Sequence, residues 1–202
     1  GRIPRRGSHG AQDSVSRAFA SIQRSPRDLD AFCEKMLAEI RRNPLAAQTA
    51  ATLAWILSTA DDPRARDPQI ALSLAETVCA ATRNTYVPGL ESLAAAHATA
   101  DQFEKGVATL RLAIRTKQRQ HPSEDVKPLE ERLLMYESRM LFTESSACEF
   151  DVIDDSVPAP ACRLAFAHRL LARRMEQAKS IEAAATAYLQ AISLAPRGVG
   201  AY

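Results

Sequence analysis

Apolar residues recur along most of the chain at spacings of three and four, which puts a stripe down one side of an α-helix. DLDAFCEKMLAEIRR shows the pattern and should stop near Asn43-Pro44. LAAQTAATLAWILSTA follows and is apolar for too long to be a strand. PQIALSLAETVCAAT, PGLESLAAAHATA and QFEKGVATLRLAIRTKQRQ continue it, and PLEERLLMYESRML runs from Pro128 to about Leu141. With AQDSVSRAFASIQ before them and ACRLAFAHRLLARRMEQ and SIEAAATAYLQAISLAP after them, about nine helices and no strand are expected.

The breaks carry helix-start chemistry. Ser25-Pro26 and Asp67-Pro68 each pair a capping side chain with a proline in the first turn, where the missing N–H costs nothing. DDPRARD, from Asp61 to Asp67, reads as a polar loop, and His121-Pro122-Ser123 breaks the chain again. Residues 143–160, TESSACEFDVIDDSVPAP, form the one long irregular stretch, with an acidic cluster at Asp151, Asp154 and Asp155. Loops of that length are commonly functional or mobile.

Composition supports an all-α chain. Glycine numbers 7 in 202 residues, and only Gly89 and Gly106 lie away from the ends, whereas hairpin turns call for positive φ. The net charge of +2 supplies no field for nucleic acid or an anionic membrane. No run of about 20 apolar residues exists to span a bilayer, so a cytoplasmic chain is expected. Residues 1–10, GRIPRRGSHG, look like the remains of a purification tag and stand outside the fold. Cys33 and Cys79 fall in helical patterns as small core residues; Cys148 and Cys162 bracket the irregular stretch and could pair in an oxidising compartment.

Catalytic chemistry finds no pattern. There is no H-E-x-x-H, no C-x2-C, no glycine-rich phosphate loop and no G-x-S-x-G. His97 and His168 fall where an aromatic-sized group packs, and His121 stands at a helix end in solvent. Glu130-Glu131-Arg132 reads as the polar face of a helix. No catalytic residue, metal or cofactor is assigned, and a binding module rather than an enzyme is expected.

A repeat underlies the pattern. Gly106 and Ala113 follow Leu93-Ala94 by 13 and 20 positions from the leucine, and Ala184 and Ala191 follow Leu171-Ala172 by the same offsets. Leu53-Ala54 heads another copy, with Ala71 18 positions on because DDPRARD lengthens the turn, and Phe19-Ala20 lies 34 positions before it. Small residues at such places let paired helices approach closely.

These residues resemble the tetratricopeptide repeat, a helix-turn-helix unit of about 34 residues. His168 to Met175 reads H-x2-L-A-x2-M, followed by A-x3-Y at Ala184 and Tyr188 and a closing Pro196. Leu90 to His97 reads L-x2-L-A-x2-H, followed by Gly106 and Leu110, without the closing proline. The resemblance implies a right-handed α-solenoid of antiparallel helix pairs, with repeats in 11–142 and 161–202 interrupted by 143–160. It further implies a concave groove for a protein or peptide partner, lined by Gln48, Thr52, Trp55 and Thr59, by Glu91 and Ala95, and by Arg169 and Arg173. The basic clamp that some members use for chaperone tails has no counterpart, since Gln48, Ala51, Thr52, Glu91 and Ala95 hold those places. Tyr202 stands where a further unit would begin, with no capping helix, so a fragment of a longer protein or self-association through the open end is expected. A regulatory helical domain of a larger, enzymatic protein is the alternative reading, and an auto-inhibitory contact of the acidic cluster with Arg169 and Arg173 is a further expectation.

Overall fold

The structure, a computed structural model, describes residues 26–42, 44–144, 163 and 166–172. The elements are α1 (Pro26–Arg42), α2 (Pro44–Thr59), a 3-10 turn η1 (Pro63–Ala65), α3 (Pro68–Ala81), α4 (Val87–Thr99), α5 (Phe103–Gln120) and α6 (Lys127–Glu137). Residues 166–172 are helical as well. The described residues contain no strand; the sole sheet-like feature among them is an isolated parallel bridge between Ala60 and Glu144. Several expectations fall outside the described residues: the Ser25 cap, the Phe19-Ala20 copy, Cys148 and Cys162, the acidic cluster, Arg173 and the closing unit with Ala184, Tyr188 and Pro196.

Proline and cap chemistry start the helices as expected. Proline takes the first position of α1, α2 and α3 and the second of α4 and α6. Asp67 Oδ1 accepts from the Ile70 N–H at 3.1 Å, filling one of the orphan donors at the start of α3. The helix ends are less expected. Arg83, Asp101 and Arg139 each follow a helix in the left-handed region, at φ 52°, 59° and 54°. Each closes a paired-bond stop: Asp101 N–H donates to Ala98 O and Gln102 N–H to His97 O, for instance. Glycine normally fills that position; here larger residues do, so glycine scarcity did not mark the stops. It also ends α6 at Glu137 rather than near Leu141.

Consecutive helices from α1 to α6 pack as neighbours, except that α1 and α2 touch only lightly, and α1 also lies against α3 and α2 against α4. α4 and α5 cross closely. A Cβ built on Gly106 would stand 3.0 Å from the Ala94 carbonyl oxygen, so glycine is what allows the approach. Ala94, Leu110 and Ala113 are fully buried there, as are Leu53, Ala54 and Ala71 in the preceding unit. The residues read as a repeat framework are thus the inter-helix contacts. The step between units is longer than 34, however. Ser92 Oγ donates to Ala51 O and Thr99 Oγ1 to Ser58 O, each across 41 residues.

The loop DDPRARD accounts for part of that length and is not wholly exposed. Asp62 Oδ1 accepts from Arg64 N–H to cap η1, and Ala65 is buried beneath Phe166. Arg163 Nε donates to Arg64 O at 3.0 Å, and its Nη1 pairs with Asp67 Oδ2 at 3.1 Å. Arg163 and the helical residues 166–172 therefore dock on the α2–α3 connection. Ala167, Leu171 and Ala172 join the core built by α1, α2 and α3. Leu171-Ala172, read as the framework pair of a closing unit, is a buried pair that packs on these early helices. His168 is fully buried with them, and burial pushes its imidazole down to about 4.

Candidate functional site

On α2, Gln48, Thr52, Trp55 and Thr59 form one stripe, because steps of three and four return to the same helix face. Thr52 and Thr59 hydroxyls donate back to the carbonyls of Gln48 and Trp55, one turn earlier. Gln48 is exposed, Thr52 and Trp55 are half-buried and Thr59 is buried. The hydrogen bonds from Ser92 and Thr99 hold α4 beside α2, which places Glu91 and Ala95 on the neighbouring helix. Ala95 is buried, so it and Thr59 serve packing between helices rather than an open surface.

Arg132 completes the face and corrects the sequence reading of 130–132. Glu130 and Glu131 are exposed, but Arg132 is buried. Its Nη1 pairs with Glu91 Oε2 at 2.9 Å, again across 41 residues. Its guanidinium carbon lies 4.6 Å from the Trp55 ring centre and 4.7 Å from that of Phe142. The two rings are 5.7 Å apart and tilted by 44°. A cation held against two aromatic rings gains from both quadrupoles once water is excluded. A signal for Arg132 did exist: the step from Leu53-Ala54 to Leu93-Ala94, carried forward once more, lands on Leu133-Leu134.

After α6 the chain turns at Arg139 and crosses back to α2. Glu144 N–H donates to Thr59 O at 2.7 Å, an otherwise orphan carbonyl at the end of α2. Trp55 Nε1 donates to Glu144 Oε2 at 2.6 Å. The expected groove face therefore carries a segment of its own chain, residues 140–144, anchored by Phe142 and Glu144.

No protein-family model, curated protein or solved structure matches this chain.

Of the remaining expected residues, Arg169 is described. Arg169 stands over the ring of Phe166, one turn back on its own helix, at 5.7 Å. A cleft of about 280 Å³ opens beside Glu91, lined by Tyr86, Pro88, Lys117, His121 and Glu124. Glu124 lies between its neighbours there, 3.6 Å from Lys117 Nζ and 3.7 Å from His121 Nδ1. Among the described residues no three His, Cys, Asp or Glu side chains gather as metal ligands. Burial pushes the Cys79 thiol up to about 12, so it is held as a neutral thiol. No described helix is long and apolar enough to cross a membrane.

Proposed function

We propose that the chain is a helical-repeat scaffold of the tetratricopeptide kind, a right-handed superhelix of helix pairs that holds an extended segment of a protein or peptide partner. The face of α2, α4 and α6 around Trp55 is the binding surface. The observation that carries this reading is the mode in which residues 140–144 lie there. One main-chain bond to Thr59, one charged acceptor on the Trp55 indole and one aromatic ring on Arg132 are contacts that an incoming peptide can reproduce. Aromatic and arginine side chains are also the residues on which binding energy concentrates.

The test is retention of a partner by the immobilised chain beside a Trp55→Ala variant whose helicity is unchanged. Partners held by the first and lost by the second support the reading. Equal retention by both would show that Trp55 is a packing residue and overturn it.

A further inference from the structure

Phe142 and Glu144 are two residues apart and both side chains meet the Trp55 face, while Thr143 between them is exposed. Both meet a floor drawn from three separate helices: Trp55 and Thr59 of α2, Glu91 of α4 and Arg132 of α6. The floor residues hold one another without the strap, through the Arg132–Glu91 pair and the cation over Trp55. Arg132 also keeps its Nε buried with no hydrogen-bond partner among the described residues, on a side chain 9% exposed. A buried donor left unmet is unfavourable, so residues 140–144 satisfy this site incompletely.

We infer that the face selects an extended protein segment bearing an aromatic residue and, two positions later, a carboxylate, and that Phe142-Thr143-Glu144 is an internal copy of that ligand. This rests on the groove-binding reading above. The ring is required because it closes the second side of the Arg132 cation. The carboxylate is required because it accepts from the Trp55 indole while the guanidinium lies over the same ring. Displacement needs no helix to unfold. The tether starts at Arg139, which already turns the chain by its left-handed φ of 54°, and among the described residues the strap's main-chain tie to α2 is the bond from Glu144 to Thr59. An incoming segment that also offers an acceptor to Arg132 Nε gains a contact the strap lacks.

The test uses the full chain and the emission of Trp55, its only tryptophan. The probe is a synthetic peptide of residues 138–146, titrated into the wild type and into a Phe142→Ala, Glu144→Gln double variant. A tethered copy competes at roughly millimolar effective concentration. The double variant is therefore expected to bind the peptide at least about tenfold more tightly than the wild type. Peptides carrying Phe142→Ala or Glu144→Gln should lose about as much, and a Thr143→Lys peptide should bind like the parent. Should the double variant lose helicity, a second variant with a Gly-Ser stretch inserted after Arg139 keeps both anchors and dilutes the tether; it too should bind the peptide more tightly. Equal binding by loose-strap and wild-type chains, or by parent and substituted peptides, overturns the inference. A random linear-peptide library displayed against the loosened chain separates the two levels. Trp55-dependent binders without the aromatic-x-acidic pattern refute the inference and leave the groove reading standing. No Trp55-dependent binder at all refutes the groove reading itself.

Discussion

The α4–α5 crossing and the cluster around Arg132 are both tightly packed, by opposite means. At the crossing, Ala94, Gly106, Leu110 and Ala113 meet with nothing polar but backbone, and closeness comes from the absence of side chain. Around Arg132 a cation, two carboxylates and two rings meet, and each depends on a partner far away in the chain. The first kind of contact is indifferent to charge state and intolerant of volume. The second tolerates shape and responds to charge. Arg163 and the helical residues 166–172 combine them: an apolar helix face with a buried histidine, tied down by the Arg163–Asp67 pair.

Acid should separate the two kinds most widely. The His168 imidazole is about 4 when folded and near 6.5 when unfolded. Above pH 6.5 neither state binds the proton and stability is complete. As pH falls from 6.5 towards 4 the unfolded chain takes up a proton that the folded chain refuses, and stability drops by about 3 kcal/mol. Burial lowers His97 too, so a smaller slope of the same sign should persist in a His168→Phe variant. Denaturant midpoints for the two proteins at pH 7 and 4.5 measure the difference; parallel losses would mean that His168 is hydrated in solution.

Arg132→Ala comes next. It strands the Glu91 carboxylate and opens the space between Trp55 and Phe142. Glu91 keeps 22% of its side chain in solvent, which softens the penalty, so a loss of about 2 kcal/mol is expected rather than the larger cost of a fully buried pair. Trp55 emission should shift to the red before the helices melt. A loss of a few tenths with unchanged emission would make the cluster a solvated surface feature.

Those two regions also differ in how far they could be read in advance. Helix periodicity, the Asp67-Pro68 start and the small-residue framework were legible because each is decided within a turn or a unit. Arg132 was not, because Glu130-Glu131-Arg132 is locally a charged helix face and the partner that marks one of the three as buried, Glu91, lies 41 residues away. Trp55 falls on the groove face that the resemblance implies, but the stretch it binds lies 89 residues later in sequence. DDPRARD looked like a plain insertion because its use, holding Arg163 and covering Phe166, depends on a segment about a hundred residues away. Arginine and aspartate in a left-handed helix stop carry no local signal at all.

Gly106→Ala sharpens the other side of the comparison, since the direction of its effect is diagnostic. In an open helix, alanine for glycine stabilises by up to about 1 kcal/mol. Here the new methyl meets the Ala94 carbonyl at 3.0 Å, and a backbone oxygen cannot swing aside. A net loss of about 1 kcal/mol in thermal or denaturant unfolding is expected. A gain would show that the crossing is looser than this geometry and that Gly106 is incidental.

The smallest effect distinguishes a stop that does one job from a stop that does two. Asp101 is exposed and closes α4 at φ 59°. Its paired stop uses backbone groups alone, through Ala98 O and His97 O. Glycine there removes the side-chain penalty of the left-handed conformation, so Asp101→Gly should stabilise by about 0.5–1 kcal/mol. Arg139 sits in the same conformation after α6, yet its guanidinium pairs with Glu104 Oε1 and lies 5.8 Å from the Phe103 ring centre. Arg139→Gly gains the same backbone relief but gives up those surface contacts, each worth a fraction of a kcal/mol, and its net effect should be near zero. It also frees the turn that launches residues 140–144, so Trp55 emission should respond to Arg139→Gly and not to Asp101→Gly. Equal stability gains with unchanged emission in both would mean that Arg139 only ends a helix.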